Sequence, residues 1–73
     1  METYKNLGGD SGVVAYEISS DRITVEFKGS SRLYVYSYAS AGRNNVEQMK
    51  TLARSGRGLH SFIMRNVKDL YEK

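Results

Sequence analysis

The sequence predicts an α+β fold, a three-stranded antiparallel sheet followed by two helices packed on one face. Apolar and polar residues alternate strictly over residues 23–28, a period typical of a strand with one buried face. The second half of the chain instead carries apolar residues at helical spacing. Because strands come before helices rather than alternating with them, we do not expect a parallel α/β sheet.

The three predicted strands occupy residues 13–18, 23–28 and 32–38. The first is apolar or aromatic apart from Glu17, and residues 19–22 and 29–31 have the composition of turns. Residues 1–12 contain three glycines and few apolar anchors, so we expect a flexible N-terminal lead-in before a single domain over 13–73. An edge strand at residues 3–7 is the alternative.

The two predicted helices are separated by the short joint at residues 54–58. The first begins at a capping Asn44 or Asn45 and ends at Gly56, which suits a left-handed stop. Its apolar face consists of Val46, Met49, Leu52 and Ala53. The second helix has a six-residue apolar stripe: Leu59, Phe62, Ile63, Val67, Leu70 and Tyr71. We therefore expect Phe62 in the core.

The composition offers little for catalysis, metal binding or a membrane. The 73 residues suit one small core, and they include no Cys and a single His, His60. We expect His60 to cap or decorate the second helix, and no spacing pairs carboxylates for acid–base work. The longest apolar runs are much shorter than the roughly 20 residues that a membrane span requires. The N-terminal residues also lack the pattern of a secretion signal. We expect a cytoplasmic protein that is not an enzyme and has no cofactor or metal.

Positive charge is concentrated in the second half of the chain. The net charge is +3, and residues 43–73 hold seven basic and three acidic residues. Arg54 and Arg57 lie where the second helix begins, and Lys28 and Arg32 flank the hairpin turn. These positions favour contact with phosphates. The alternative is that these residues form an ordinary solvated surface. A net charge of +3 is lower than that of most strong nucleic-acid binders.

Tyr34, Tyr36 and Tyr38 occupy alternate positions and therefore share one face of the sheet. Exposed, they would form a platform on which bases of single-stranded nucleic acid stack. Buried, they would belong to the core or to a dimer contact. A three-residue hairpin loop would place Val25 opposite Val35 and expose them, whereas a loop of two or four would bury them. We expect at least two of the three to be buried.

One family resemblance covers residues 13–71. The alternating strand, the Tyr-x-Tyr at 34–36 or 36–38, the helix with Met49, and the run RSGRGLHSFI at 54–63 together resemble the KTSC domain. That family is named for the C-terminal domain of some lysyl-tRNA synthetases and also occurs as free-standing bacterial and phage proteins. The Pro that usually follows the Tyr strand in this family is absent, and this chain has Ala-Ser-Ala-Gly at residues 39–42 instead. The chain resembles a divergent stand-alone member, of phage or mobile-element origin, and attachment to a synthetase suggests RNA binding.

Two hypotheses for function follow. The first is a small non-catalytic module that binds RNA or another nucleic acid through Arg54, Arg57, Lys28, Arg32, Tyr34, Tyr36 and Tyr38. The second is a protein–protein interaction module or homodimer that uses the Tyr-bearing face or an open strand edge.

Overall fold

The structure, a computed structural model, describes residues 1–9 and 12–72. Residues 10 and 11 of the predicted lead-in, and residue 73, lie outside this range. The elements are β1 (Glu2–Thr3), β2 (Val13–Ser19), β3 (Arg22–Phe27), β4 (Leu33–Ser37), α1 (Tyr38–Ala41), α2 (Arg43–Ser55), α3 (Leu59–Phe62) and a π-helical turn (Ile63–Val67). The predicted α+β class, with strands preceding helices, is confirmed.

The sheet has four strands rather than three. Their order is β1-β2-β3-β4, and each strand is antiparallel to its neighbour. The added strand is β1, in which Glu2 and Thr3 pair with Tyr16 and Ala15. The expectation of three strands is therefore wrong, and the edge strand lies slightly before the alternative at residues 3–7.

Tyr4 anchors the N-terminal segment in the core. Its side chain is only 4% exposed, and its hydroxyl accepts a hydrogen bond from the Leu59 backbone N–H at 3.3 Å. Farther along, the Leu7 N–H donates to the Gly56 carbonyl at 2.7 Å. The Tyr4 ring is therefore the apolar anchor of this segment, which its glycine-rich composition did not indicate.

The register between β3 and β4 decides which face Tyr36 occupies. Val25 pairs with Tyr34, and Ile23 pairs with Tyr36. This is the register that a two-residue hairpin loop would produce, although the residues outside the two strands are 28–32. Because Ile23 and Val25 are fully buried, this register directs Tyr36 into the core, where it is 1% exposed. Tyr34 and Tyr38 are only half-buried, so one of the three tyrosines is buried outright rather than two.

Burial raises the pKa of the Tyr36 hydroxyl from its ordinary value of 10.0 to about 12, and nearby Tyr34, Tyr71 and Asp69 act in the same direction. A raised folded-state pKa means that neutral Tyr36 stabilises the protein fully below pH about 10, and that this contribution is lost as pH rises toward about 12. We expect the free energy of unfolding, measured by chemical denaturation, to fall more steeply over this range in the parent than in Tyr36→Phe. Parallel declines would contradict this assignment.

The first long helix, α2, matches its prediction at the C-terminal end. Gly56 has φ of +77°, and its N–H bonds to the carbonyls of Leu52 and Ala53, which closes the helix with a left-handed stop. At the other end Gly42 precedes α2 without a side-chain cap, so the predicted asparagine cap is wrong. The Asn45 amide instead donates to the Ala41 carbonyl at 2.9 Å.

A short helix, α1, follows β4 where the sequence predicted continued strand and then a break. Ser37 ends β4 and caps α1: its hydroxyl accepts from the Ser40 N–H, and the Ser40 hydroxyl accepts from the Ser37 N–H. The Ser37 hydroxyl also donates to the Glu72 carboxylate. This local capping box turns the chain out of the strand one residue before its predicted end.

The second predicted helix is shorter than its apolar stripe. Leu59, Ile63 and Val67 are fully buried, but the α-helix ends at Phe62 and a π-helical turn covers the next five residues. Leu70 is 41% exposed, so its predicted place in the core is wrong. Phe62 is half-buried and packs against the core from outside, which also corrects the expectation that it is a core residue.

Strands and helices contribute to one buried cluster. Its members are Tyr4, Val13, Tyr16, Ile23, Val25, Tyr36, Ala41, Val46, Met49, Ala53, Leu59, Ile63 and Val67.

None of the helices among the described residues has the length and the apolar character that a membrane span requires.

Candidate nucleic-acid interface

An open cavity of about 260 Å³ lies between the sheet and the C-terminal segment. Four aromatic rings line it, those of Phe27, Tyr34, Tyr36 and Tyr71, and we call it the aromatic pocket. Its remaining lining residues are Ser30, His60, Met64, Lys68 and Asp69. The pocket therefore combines aromatic surface with one exposed cation, Lys68, and one exposed carboxylate, Asp69.

The rings are held by edge-to-face contacts. Tyr34 and Tyr71 have centroids 4.8 Å apart at an interplanar angle of 90°, and Phe27 and Tyr34 have centroids 5.3 Å apart at 80°. Strand pairing fixes Phe27 and Tyr34, whereas Tyr71 comes from the segment after the π-helical turn. The Glu72 N–H donates to the Val35 carbonyl at 2.6 Å and fastens this segment to β4. These contacts preorganise the aromatic surface before any ligand arrives.

Arg32 places a positive charge beside these rings. Its guanidinium carbon lies 5.1 Å from the ring centroid of Tyr34 and also 5.1 Å from that of Tyr71. Both distances fall within the range of cation–π attraction. The Arg32 side chain is exposed, so its hydrogen-bond donors are accessible to a ligand while the guanidinium stays beside the two rings.

His60 connects the aromatic pocket to a second, smaller one. Its Nδ1 accepts a hydrogen bond from the Gly12 backbone N–H at 2.9 Å. Besides lining the aromatic pocket, His60 lines a cavity of about 140 Å³ together with Tyr4, Arg57 and Ser61. His60 is therefore shared by two cavities, one of which is also lined by Arg57 and the other by Lys68.

The predicted basic residues divide into two groups. Arg32 contacts the rings of the aromatic pocket, and Arg57 lines the smaller cavity. Lys28 and Arg54 are exposed and lie outside the linings described for these two cavities. Of the four predicted phosphate contacts, Arg32 therefore lies beside the aromatic pocket and Arg57 lies at the smaller cavity, which shares His60 with that pocket.

The three tyrosines do not form a platform. Tyr34 lies in the aromatic pocket, but Tyr36 is 1% exposed, which is inconsistent with a base stacking on its ring as predicted. Tyr38 heads α1 at the opposite end of β4, where its N–H donates to the Asp21 carbonyl at 2.9 Å and its hydroxyl donates to the Glu47 carboxylate. The predicted stacking row is not formed, because the middle tyrosine, Tyr36, is buried and Tyr38 belongs to α1 rather than to β4.

Sequence reasoning missed several residues of this surface. Phe27 and Tyr71 were placed only on apolar stripes, and Lys68 and Asp69 carried no signal beyond their charge. His60 was expected to serve its own helix, yet its hydrogen-bond partner Gly12 lies 48 residues away in sequence. No local pattern indicates such long-range contacts.

Other polar clusters have structural partners. Lys50, 6% exposed, donates to the Ser20 carbonyl at 3.0 Å and pairs with the Glu47 carboxylate at 2.9 Å, which ties α2 to the β2–β3 turn. Within residues 1–9 and 12–72, no group of three His, Asp or Glu side chains could hold a metal ion.

The open edge of β4 bears on the strand-addition hypothesis. The Glu72 N–H already occupies the Val35 carbonyl there. A partner strand pairing at Val35 would have to displace residue 72 from the edge.

Comparison with known proteins assigns no relative: no protein-family model matches the chain, and no curated protein or solved structure matches it.

Proposed function

We propose that this protein is a small non-catalytic module that binds single-stranded or looped RNA on the surface from Arg57 to the aromatic pocket. The observation that carries the proposal is the combination at one site of aromatic rings with the cations Arg32 and Lys68. His60 joins this site to Arg57.

The chemistry of this surface suits nucleic acid. Unpaired bases stack on aromatic rings and on guanidinium planes, and each stacked base contributes about 1–3 kcal/mol. The Arg32 guanidinium carbon lies 5.1 Å from the ring centroids of both Tyr34 and Tyr71, so a base at this site would meet a guanidinium group beside the aromatic rings. Arg57 and Lys68 supply charges for phosphates, as do Lys28 and Arg54, which lie outside the linings of the two cavities.

We also propose that the chain is a divergent KTSC-type domain that works in the cytoplasm. The Tyr34-Val35-Tyr36 strand and the Arg57-bearing joint support this proposal. In the structure this strand contributes Tyr34 to the aromatic pocket, and the joint contributes Arg57 to the adjoining cavity. The association of the family with a synthetase is consistent with RNA as ligand, although fold alone does not specify function.

The first test is fluorescence anisotropy of a labelled single-stranded RNA and a labelled hairpin RNA, each titrated with the protein at low and at physiological salt. We expect micromolar binding that weakens steeply with salt, since phosphate contacts release counterions. Absence of binding at low salt, where electrostatic attraction is strongest, would overturn the proposal and favour the protein-interaction hypothesis. Binding that is insensitive to salt would contradict the role of the arginines.

A further inference from the structure

We infer that the aromatic pocket takes one unpaired guanine base, with the Asp69 carboxylate accepting the two N–H groups of its Watson–Crick edge. This inference rests on the proposed function and specifies its ligand. It assigns to Asp69 a role in base specificity. The phosphates of RNA would repel its negative charge, so Asp69 is not expected to contribute to phosphate binding.

The size of the pocket limits what enters it. At about 260 Å³, it is in the range of a single nucleotide and far below the volume of a helical segment. Its openness to solvent on one side allows the backbone of the RNA to remain outside. The occupant is therefore one base that is not paired within a duplex, as in a loop or a single strand.

The aromatic lining accounts for the affinity for a base. Phe27, Tyr34 and Tyr71 present planar apolar surface whose positions are fixed by mutual edge-to-face contacts. Any of the four bases could stack here, because every base has a π-face. Stacking therefore contributes affinity without preference for one base. Specificity for one base requires a hydrogen-bonding group in the pocket.

Asp69 is the anionic group of the aromatic pocket. An ionised carboxylate only accepts hydrogen bonds, and its two oxygens suit a pair of adjacent parallel donors. Asp69 lines this pocket together with Tyr36 and Lys68. Its side chain is exposed, so the carboxylate is accessible to a ligand that enters the pocket.

Guanine is the base that matches this acceptor. Its N1–H and N2–H₂ groups are adjacent donors on one edge, whereas adenine and cytosine offer one amino group next to a ring acceptor and uracil one N–H between two carbonyls. Facing a carboxylate, those acceptors would be repelled. Lys68 and Arg32 flank the same pocket, and their charges suit the phosphate of the bound nucleotide.

The test titrates the full chain, labelled with ¹⁵N, with guanosine, adenosine, cytidine and uridine 5′-monophosphates while NMR shifts are recorded. We expect guanosine monophosphate to shift amides around His60 and residues 68–71, and to bind about tenfold or more tightly than the others, the discrimination typical of a bidentate contact. Asp69→Asn should abolish this preference. The matched control is Asp21→Asn, which removes the same charge at the β2–β3 turn and should leave the preference intact.

The outcomes separate the two proposals. Equal binding of the four nucleotides, or a guanine preference that survives Asp69→Asn, overturns the guanine inference and leaves RNA binding as proposed. Loss of preference in both aspartate variants likewise overturns it, because the effect would then be one of net charge. Failure of the proposed function is read separately, as the absence of salt-dependent RNA binding in the anisotropy titration.

Discussion

Replacement of Ile63 by alanine is expected to destabilise the protein by about 2–5 kcal/mol, because it removes a fully buried side chain and leaves a cavity. Ile63 begins the π-helical turn and belongs to the cluster in which strands and helices meet. Small domains have total stabilities of only about 5 kcal/mol upward, so this variant should be largely unfolded at modest denaturant concentration.

The matched control for Ile63→Ala is Met64→Ala at the next position. Met64 is 44% exposed, and its truncation should change the free energy of unfolding by roughly 0.5 kcal/mol or less. Phe62→Ala should fall between the two, since Phe62 is half-buried. Chemical denaturation followed by circular dichroism measures all three. Equal midpoints for Ile63→Ala and Met64→Ala would contradict the buried face described for this helix.

Replacement of Tyr4 by alanine should cost about 3 kcal/mol or more, a loss comparable to truncation of other buried aromatics. Tyr4 is 4% exposed, and its hydroxyl is the acceptor for the buried Leu59 N–H. The variant therefore loses apolar contacts and leaves a backbone donor unsatisfied at the start of α3.

Tyr4→Phe separates these two effects. The ring remains and only the hydroxyl is lost, so we expect a cost of about 1–3 kcal/mol, typical of a buried donor left without its hydrogen-bond partner. Thermal and chemical unfolding of the parent, Tyr4→Phe and Tyr4→Ala should rank in that order. A Tyr4→Ala variant as stable as the parent would mean that the N-terminal segment is the loose lead-in expected from its composition.

The parts of the fold that could be predicted are those encoded by neighbouring residues. The alternation around Ile23 and Val25 depends on the two-residue period of a strand, and the stop at Gly56 depends on its own left-handed conformation. The capping box at Ser37 is equally local, but it competes with the strand preference of the neighbouring tyrosines, which predicts a strand through residue 38. Sequence patterns therefore located β2, β3 and most of α2 within a few residues.

The parts that could not be predicted depend on contacts distant in sequence. Tyr4 is buried because it meets Leu59, and no periodicity near Tyr4 indicates this. Tyr71 follows a helical spacing, yet it leaves the helix to pack on Tyr34. The candidate site shows the same division: Arg32 and Arg57 were found from charge beside turns, whereas the aromatic pocket emerges only when β3, β4 and the C-terminal segment come together.

Charge-removal variants give the sharpest test of the proposal that RNA binds between Arg57 and Arg32. Anisotropy titrations at several salt concentrations would compare Arg57→Gln and Arg32→Gln with Arg22→Gln, whose side chain pairs with Asp21 at the β2–β3 turn. We expect the first two to weaken binding and each to reduce the slope of log affinity against log salt by about one, and Arg22→Gln to do neither. Unchanged binding in Arg57→Gln and Arg32→Gln, or an equal loss in all three variants, would contradict the claim.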